Sequence, residues 1–331
     1  MEYRELGHSG IKVSTVAMGC WAIVGDATWG AQDERVAIAA IHAALDEGIN
    51  LFDTAESYGD GYSEELLGRA LQGRRDRAII ASKVSSGHLS RAALLAACEA
   101  SLRRLRTDYI DLYQVHWPSR TVPLAETMDA MAELRAQGKI RAIGVCNFAS
   151  RDMDELLALG GCATNQLPYS LLARAIEYEV QPKCVAHGIG ILPYSPLAQG
   201  LLTGKFASAD EVPEGRARTR HFAGTRPQAR HGEAGCEAET FAAIARVREI
   251  AAGMSQPMAS VSLAWLLHQP AVVSVLAGAR SPQQIRENVR AAQIRLSPHV
   301  VQALSAATEE VKRCLGTNPD LWQPAAQSRM R

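Results

Sequence analysis

Short apolar runs alternate along this chain with longer segments in which apolar residues recur every three or four positions. A short apolar run is typical of a buried strand, and the longer spacing is typical of an amphipathic helix. The first strand is predicted from Val13 to Gly19, and the first helix follows it, capped by Asp33 and ended by Gly48. Strand and helix therefore alternate from the start of the chain.

The same pattern predicts seven further strands, each followed by a helix. The second strand runs from Ile49 to Phe52, and Ser63 is predicted to open the helix after it, with Glu64 and Glu65 in the first turn. The later strands are predicted at residues 78–82, 109–115, 140–145, 162–167, 189–194 and 272–276.

Eight βα repeats predict an α/β fold of the closed (β/α)8 or TIM barrel type. A doubly wound sheet is the competing architecture, but it would place a GxGxxG sequence after the first strand, where this chain has none. Residues 1–14 are predicted to form a β-hairpin that turns at Ser9 and Gly10 and plugs the bottom of the barrel. The unbroken repeat favours a single domain over residues 1–331.

Composition and charge are those of a soluble globular protein. Hydrophobic residues make up 47% of the chain and the formal net charge is zero, so no basic field points to nucleic acid or a membrane surface as a partner. No apolar run approaches the ~20 residues of a membrane span, and the N-terminus lacks the apolar core of a signal peptide. The seven cysteines include no CxxC pair. These features predict a cytoplasmic protein with reduced thiols and no metal site.

Chemically active side chains follow the predicted strand ends. Asp53 ends the second strand, and Tyr58 lies in the loop beyond it, in FDTAESYG. Lys83 ends the third strand in IIASKV, and His116 follows the fourth in DLYQVHWP. Any one of them alone could be a helix cap, a packed ring or a rim charge. Together, on three successive strand ends of a barrel, they favour a catalytic site.

These motifs resemble the signature of the aldo-keto reductases, nicotinamide-dependent oxidoreductases built on a (β/α)8 barrel. That family uses an Asp, a Tyr, a Lys and a His together, and the resemblance extends from about Tyr3 to about Asn288. The chain is most similar to bacterial members of the sugar and inositol oxidoreductase type. The resemblance implies an enzyme that reduces an aldehyde or ketone with a hydride from the nicotinamide.

The resemblance also implies a role for each of the four residues. Tyr58 is expected to give its proton to the carbonyl oxygen, and Lys83 to lower the pKa of that phenol. Asp53 is expected to pair with Lys83, and His116 to donate a hydrogen bond to the substrate oxygen.

A cofactor site is implied in the same way. Asn147 and Gln166 match the residues that hold the nicotinamide amide, and Tyr194 matches the aromatic residue that stacks on its ring. Cys146 stands where the family commonly has Ser, so a hydroxyl is missing there. Arg280 is placed to fork onto a 2′-phosphate, which favours NADPH and NADP, with NAD as the alternative. The other residues expected at the cofactor are Gly19, Cys20, Trp21, Ser195, Leu197, Gly200, Lys205, Gly278, Gln284, Glu287 and Asn288.

The expected substrate is a small carbonyl compound. Aromatic walls suit either aromatic aldehydes or the apolar faces of sugars, and the resemblance favours a sugar-derived aldehyde or ketone. The residues expected to line this substrate pocket are Trp21, Trp29, Trp117, Phe148 and Trp322.

Two segments depart from the repeat. Residues 198–237 form a long loop after the seventh strand, rich in Gly, Arg and Pro, which is either a mobile solvated insertion or a clamp over the bound cofactor. The C-terminal tail, residues 312–331, carries Trp322. Trp322 either covers the barrel mouth as part of the substrate pocket or makes an oligomer contact, and a homo-oligomer is compatible with the sequence.

The barrel is compatible with two other classes of protein. The potassium-channel β subunits share the barrel and bind nucleotide but serve largely as partner-binding modules; the complete set of four residues and the short segment before the hairpin favour an enzyme. A metal-dependent barrel hydrolase would need several ligands at strand ends, where Asp53 and His116 alone qualify.

Overall fold

The computed structural model describes residues 1–26 and 28–331. Its strands are Tyr3–Glu5 (β1), Lys12–Ser14 (β2), Val16–Gly19 (β3), Leu51–Asp53 (β4), Ile79–Val84 (β5), Ile110–Val115 (β6), Ile140–Cys146 (β7), Thr164–Pro168 (β8), Gly190–Tyr194 (β9) and Val275–Gly278 (β10). Its α-helices are Glu34–Asp46 (α1), Tyr62–Ala70 (α2), Arg91–Leu105 (α3), Leu124–Ala136 (α4), Ser150–Ala158 (α5), Val180–Ala186 (α6), Glu237–Gly253 (α7), Met258–Leu267 (α8), Pro282–Ala291 (α9), Pro298–Ala307 (α10) and Glu309–Leu315 (α11). Within this described part no single helix is long and apolar enough to cross a membrane, while α7 and α8, bent by 93° at a short break, pass that test only as a pair.

Strands β3 to β10 form one parallel sheet that closes on itself. Their hydrogen-bonded order is β10-β3-β4-β5-β6-β7-β8-β9. The sheet closes where Ile191 of β9 pairs with Val272, just ahead of β10. Helices pack side by side around it, with α1 between α2 and α9. The predicted (β/α)8 barrel is confirmed.

The N-terminal hairpin seals one end of this barrel. Strands β1 and β2 pair antiparallel, and Leu6, Ile11 and Val13 from the hairpin are buried. These side chains pack in one apolar cluster with inward-facing residues of the barrel strands, among them Leu51 and Leu112. The hairpin cap is confirmed, and the carboxyl ends of the strands are left as the open end.

The first predicted strand serves two sheets instead of one. Val13 pairs with Arg4 in the hairpin, and the barrel strand begins only at Val16. The break falls at Thr15, and the hydroxyl of Ser14, the last residue of β2, donates to the carbonyl oxygen of Val16 at 2.8 Å. A single apolar run hides such a break, because both pieces are buried.

The long loop after β9 is packed against the rest of the protein. Leu202 and Phe222 are buried within it. Arg220 donates to the carbonyl oxygens of Leu315 at 2.9 Å and Asn318 at 3.0 Å, so the loop is tied to the tail. Buried apolar side chains and these bonds do not fit the interpretation of a solvated insertion.

Candidate active site

The structure brings Asp53, Tyr58, Lys83 and His116 together at the open end of the barrel. Asp53 is the last residue of β4, Lys83 lies near the end of β5, and His116 directly follows β6. Tyr58 comes from the loop between β4 and α2. In a parallel barrel the carboxyl ends of neighbouring strands meet at one rim, which is why these side chains converge.

Lys83 is the centre of the group. Its ammonium is fully buried and donates to Asp53 Oδ1 at 2.6 Å, to the Thr54 carbonyl oxygen at 2.8 Å and to Tyr58 Oη at 3.0 Å. An ammonium has three donors, and each has an oxygen partner here. The charge is therefore compensated by Asp53 and aimed at the phenol of Tyr58.

The second oxygen of Asp53 is held by two amides. Gln166 Nε2 donates to Asp53 Oδ2 at 2.7 Å, and Gln114 Nε2 lies 3.5 Å from the same oxygen. Sequence reasoning missed Gln114, although a Gln within a predicted buried strand is a signal, because a buried amide needs partners. Gln166, expected at the nicotinamide amide, also orients Asp53.

Burial dominates the electrostatics of this group. It raises the pKa of Tyr58 to about 12, against the opposing effect of the Lys83 charge. Burial is the largest single effect on Lys83 and lowers its pKa, but the charge and hydrogen bond of Asp53, together with the effects of Tyr58 and Cys146, outweigh burial and the pKa is raised. Lys83 does favour the phenolate as expected, yet Tyr58 keeps a higher pKa than a free phenol and holds its proton at neutral pH.

His116 is neutral at physiological pH. Burial, with a smaller effect of Lys83, lowers its pKa to about 3. Its ring stands edge-on to that of Tyr58, with centroids 5.9 Å apart and planes at 80°. A neutral imidazole donates through one ring nitrogen only, so a carbonyl oxygen next to both rings would meet one N–H and one O–H.

The start of α2 fixes the loop that carries Tyr58. The prediction that Ser63 is the N-cap of α2 is wrong: Gly61 takes that position, with a φ of 93°. The Ser63 hydroxyl instead donates to the Cys20 carbonyl oxygen at 2.9 Å and accepts from Thr54 at 2.8 Å. Both partners directly follow barrel strands, so the helix start is bonded to the rim of the barrel.

Glu64, in the first turn of α2, is fully buried. It accepts hydrogen bonds from Arg104 at 2.7 Å and from the hydroxyl of Ser82. The carboxylate predicted in the first turn of the helix therefore joins α2 to α3 and β5.

An aromatic wall continues from Tyr58. Trp21 stacks on Tyr58 with centroids 6.0 Å apart, and Trp29 meets Trp21 edge-on at 5.4 Å. The Trp21 indole donates to Asp26 at 2.9 Å. Of the two tryptophans expected in the substrate wall on this side, Trp21 lies beside Tyr58 and Trp29 lies behind it against Trp21.

The tail supplies a second wall. Trp322 stacks on Tyr194 with centroids 6.3 Å apart and planes at 12°. Arg329 lies over the ring of Trp117 at 3.8 Å and pairs with the buried Asp320 at 2.8 Å. Trp322 and Trp117 are thus held together at the barrel mouth by the tail.

Phe148 is not part of either wall. Its side chain is fully buried, and it lines a cavity between the start of α4 and the end of the tail, with Leu89, Val115 and Arg120. An apolar residue just past a strand end was expected to face the mouth, but the chain turns it into the core.

Asn147 joins the expected cofactor residues to His116. It has a left-handed φ of 64°, which costs free energy for a residue other than glycine. Its Nδ2 donates to the His116 carbonyl oxygen at 2.9 Å, and its Oδ1 accepts from Tyr194 Oη at 2.8 Å. These two side-chain hydrogen bonds hold Asn147 in its strained conformation directly after β7.

Residues 195–200, directly after β9, form an unusual backbone segment. Left-handed φ angles occur at Ser195, Ala198, Gln199 and Gly200. Gly200 has a φ of 103°, a conformation that favours glycine, and a Cβ there would lie 3.1 Å from Cε of the flexible Lys205 side chain. Leu197 is half-buried in the same segment.

The structure sorts the cations of the long loop into two groups. Arg220 and Arg226 are paired, with Glu233 and Glu237 respectively, each at 2.7 Å. In the described chain no ion pair involves Lys205, Arg216, Arg218 or Arg230. Burial and the neighbouring Arg216 lower the pKa of Lys205, and burial and Arg230 lower that of Arg218. The charge of Asp26 opposes this shift at Arg218. Neighbouring cations that form no ion pair repel one another, and an anion would relieve that repulsion.

The residues expected at the adenosine end lie around the start of α9. Ser281 caps the helix, and Gln284 Oε1 accepts from the Arg280 backbone N–H at 2.7 Å. Asn288 Nδ2 donates to the Gly278 carbonyl oxygen at 3.3 Å, while Glu287 accepts from Gln283. Gly278 does not have a left-handed φ, and a Cβ there would meet Ala22 Cβ only at 3.9 Å, so no tight turn requires it. The Arg280 guanidinium binds oxygen atoms of residues 29–32.

The remaining expected residues lie at the rim. Gly19 ends β3 beside Asp53 of β4. Cys20 and Cys146 are buried, and burial raises the pKa of both thiols. Cys146 is therefore a thiol at neutral pH, close enough to Lys83 for the ammonium charge to act on it.

Comparison with known proteins agrees with this geometry. The model of the aldo/keto reductase family matches residues 15–309. The chain belongs to this family. The expectation of an aldo-keto reductase, an oxidoreductase with a nicotinamide cofactor, is confirmed at the level of the family.

Relatives among the aldo-keto reductases match most of the chain. Aldo-keto reductase YhdN of Bacillus subtilis is 39% identical over 296 residues, covering 86% of this chain and 87% of that protein. The NADH-specific methylglyoxal reductase of Escherichia coli is 34% identical over 340 residues, covering 95% and 100%. A crystal structure of an aldo/keto reductase from Klebsiella pneumoniae, in complex with NADP and acetate, is 31% identical with a TM-score of 0.72, covering 97% and 95%.

Proposed function

We propose that this protein is an NADPH-dependent reductase of small aldehydes or ketones, with Tyr58 as the proton donor. The observation that carries the proposal is the buried Lys83 ammonium, which lies 2.6 Å from Asp53 and 3.0 Å from the Tyr58 phenol. A phenol that shares a hydrogen bond with a fixed ammonium can release its proton and remain stabilised as phenolate.

Each of the four residues at the strand ends has its own role in the proposed reduction. A carbonyl oxygen between Tyr58 and His116 accepts a hydrogen bond from the neutral imidazole, which orients it. The bound nicotinamide supplies the hydride. Tyr58 gives its proton to the developing alkoxide, and Lys83 stabilises the phenolate that remains. Asp53, held by Gln166 at 2.7 Å, keeps Lys83 in place throughout. The reverse sequence oxidises an alcohol.

The unpaired cations of the long loop support a cofactor that carries several phosphates. Lys205, Arg216 and Arg218 are proposed to face these phosphates, with Ser195 to Gly200 along the pyrophosphate. Asn147 and Tyr194 are proposed at the nicotinamide. NADPH is favoured because a similar structure contains NADP, and NADH is the alternative because a relative is named NADH-specific.

The walls of the mouth support a small substrate. Trp21, backed by Trp29, lies beside Tyr58, and Trp322, joined to Trp117 through Arg329, lies beside Tyr194. Such rings suit the apolar face of a sugar-derived aldehyde. A small dicarbonyl belongs to the same proposal, since one relative is named a methylglyoxal reductase.

The test is the oxidation of NADPH and NADH by purified protein against sugar-derived, dicarbonyl, aliphatic and aromatic aldehydes. Tyr58→Phe is expected to lower kcat/KM by about 10²–10⁴-fold, the usual contribution of a positioned acid, while nucleotide binding is retained. Tyr62→Phe, which removes a hydroxyl bonded to Glu34 outside the site, is the matched control. Nucleotide binding without turnover of any carbonyl would instead favour a regulatory module of the channel β-subunit type.

A further inference from the structure

The Arg280 guanidinium is surrounded by oxygen atoms of residues 29–32. Its Nε donates to Gln32 Oε1 at 2.7 Å, and Nη1 donates to the Trp29 carbonyl oxygen at 2.6 Å. Its Nη2 donates to the carbonyl oxygens of Gly30, at 3.2 Å, and Ala31. Gln32 returns a bond from its Nε2 to the Arg280 carbonyl oxygen at 3.2 Å.

This arrangement does not suit a phosphate. A guanidinium has five N–H donors, and four bonds to the 29–32 segment leave no pair of them to fork onto an anion. The partners are all acceptors, and their partial negative charges would repel a phosphate placed among them. In the described chain a separate group of cations that form no ion pair lies in the long loop, at Lys205, Arg216 and Arg218.

The segment that Arg280 holds leads directly to the proposed proton donor. Trp29 meets Trp21 edge-on at 5.4 Å, and Trp21 stacks on Tyr58 at 6.0 Å. Trp29 also lies under Arg216, whose guanidinium is 5.3 Å from the ring centre. The end of β10 is thereby connected through the segment after β3 to the wall of the site.

We propose that Arg280 is a positioning residue that fastens residues 29–32 and sets Trp29 and Trp21 against Tyr58, and that it does not bind the 2′-phosphate of NADPH. The proposal rests on the proposed function for its consequence in catalysis. Its structural part, the attachment of residues 29–32, stands independently of any ligand.

The first experiment separates positioning from phosphate binding. Kd for NADPH and for NADH is measured for Arg280→Met and Gln32→Ala, with Arg286→Met, which changes an exposed arginine of the following helix α9, as control. We expect the ratio of the two Kd values to stay within about twofold of wild type. Loss of a charged hydrogen bond to phosphate changes affinity by about tenfold or more. A ratio shifted tenfold by Arg280→Met, with NADH binding unchanged, would overturn the proposal.

The second readout is the pair of steady-state constants, KM and kcat, for the carbonyl substrate. Arg280→Met and Gln32→Ala are both expected to raise KM for the aldehyde severalfold, because both release Trp29, with a smaller change in kcat. Arg286→Met is expected to leave both unchanged. Gln32→Ala keeps every charge, so it decides the question even if Arg280→Met does not fold; a Gln32→Ala enzyme with wild-type KM contradicts the proposal.

The third readout needs no ligand. Amide hydrogen exchange of the peptide containing residues 29–32 is expected to accelerate in Arg280→Met and Gln32→Ala, and to stay unchanged in Arg286→Met. A wild-type protein that reduces no carbonyl would remove the proposed function and leave this comparison intact. Unchanged exchange in both variants would remove the attachment itself.

Discussion

At the scale of single residues, the most consequential contact is the buried pair of Lys83 and Asp53. Removing one partner of such a pair leaves the other buried without compensation, which costs about 3–5 kcal/mol. We therefore expect Lys83→Met to lower the free energy of unfolding by that amount and to abolish carbonyl reduction. Urea unfolding measures the first effect and NADPH oxidation the second.

A double variant separates the two effects. Lys83→Met with Asp53→Asn removes the uncompensated charge, so part of the lost stability is expected to return while activity stays lost. Lys139→Met, at an exposed pair with Glu99, should change stability by at most about 1 kcal/mol. Wild-type stability in Lys83→Met would show that the pair is not buried as described.

The pKa values of Tyr58 and His116 predict a broad pH plateau. The active forms are the protonated phenol, lost as pH rises through about 12, and the neutral imidazole, lost as pH falls through about 3. Between these limits neither group changes its charge. We expect kcat/KM for reduction to stay level from about pH 6 to about pH 9. A break near the ordinary pKa of a histidine or a tyrosine would show that the residue is less buried than described.

The sequence predicted which catalytic types meet, but not what holds them. Strand ends converge in any parallel barrel, so Asp53, Lys83 and His116 could be placed by position alone. Gln114 and the Arg280 contacts depend on the direction of side chains, which packing decides. The same reason explains Phe148: periodicity places it past a strand end but does not say which way the chain turns there.

At the scale of elements, the long loop after β9 divides into an anchor and a free cationic part. Arg226 is bonded to Glu237 at 2.7 Å, whereas Arg216 has no acidic partner in the described chain and lies over Trp29. We expect Arg216→Met to raise the Kd for NADPH by about tenfold or more, since a charged hydrogen bond is lost. Fluorescence titration with NADPH measures this.

Arg226→Met is the matched control for that comparison. It removes the same charge from the same loop, but its guanidinium already pairs with Glu237 and Asp210. We expect NADPH affinity to change little and stability to fall slightly. Equal weakening of NADPH binding in both variants would mean that overall charge, not position, determines affinity.

Element boundaries were the part of the fold least accessible to sequence reasoning. Val13 and Val16 belong to one apolar run, yet they lie in different sheets, because hydrogen bonding and not burial divides the run. Ser63 has the chemistry of an N-cap but is used one step inside α2, where its hydroxyl reaches Cys20. In each case a contact with a distant part of the chain decides the boundary: the pairing of Val13 with Arg4, and the hydrogen bond from Ser63 to Cys20.

At the scale of the whole molecule, the fold was predictable because eight repeats carry the same pattern, and a closed barrel is the arrangement in which all eight strands are paired. The hairpin then fills one end with Leu6, Ile11 and Val13. Long-range ties such as Arg220 to Leu315 have no local pattern and could not be predicted. They join the long loop after β9 to the tail that carries Trp322.

Nucleotide binding is also expected to change the stability of the whole molecule. A ligand that binds only the folded protein stabilises it by about 2.7 kcal/mol at a concentration of 100 times Kd. We expect saturating NADPH to raise the midpoint of thermal unfolding of the wild type and of Tyr58→Phe alike, because the phenol serves the reaction and not nucleotide binding. Arg216→Met should need a correspondingly higher NADPH concentration for the same rise. If Tyr58→Phe instead loses the rise while it remains folded, Tyr58 itself supports the nucleotide, and the proposed separation of binding residues from the proton donor is wrong.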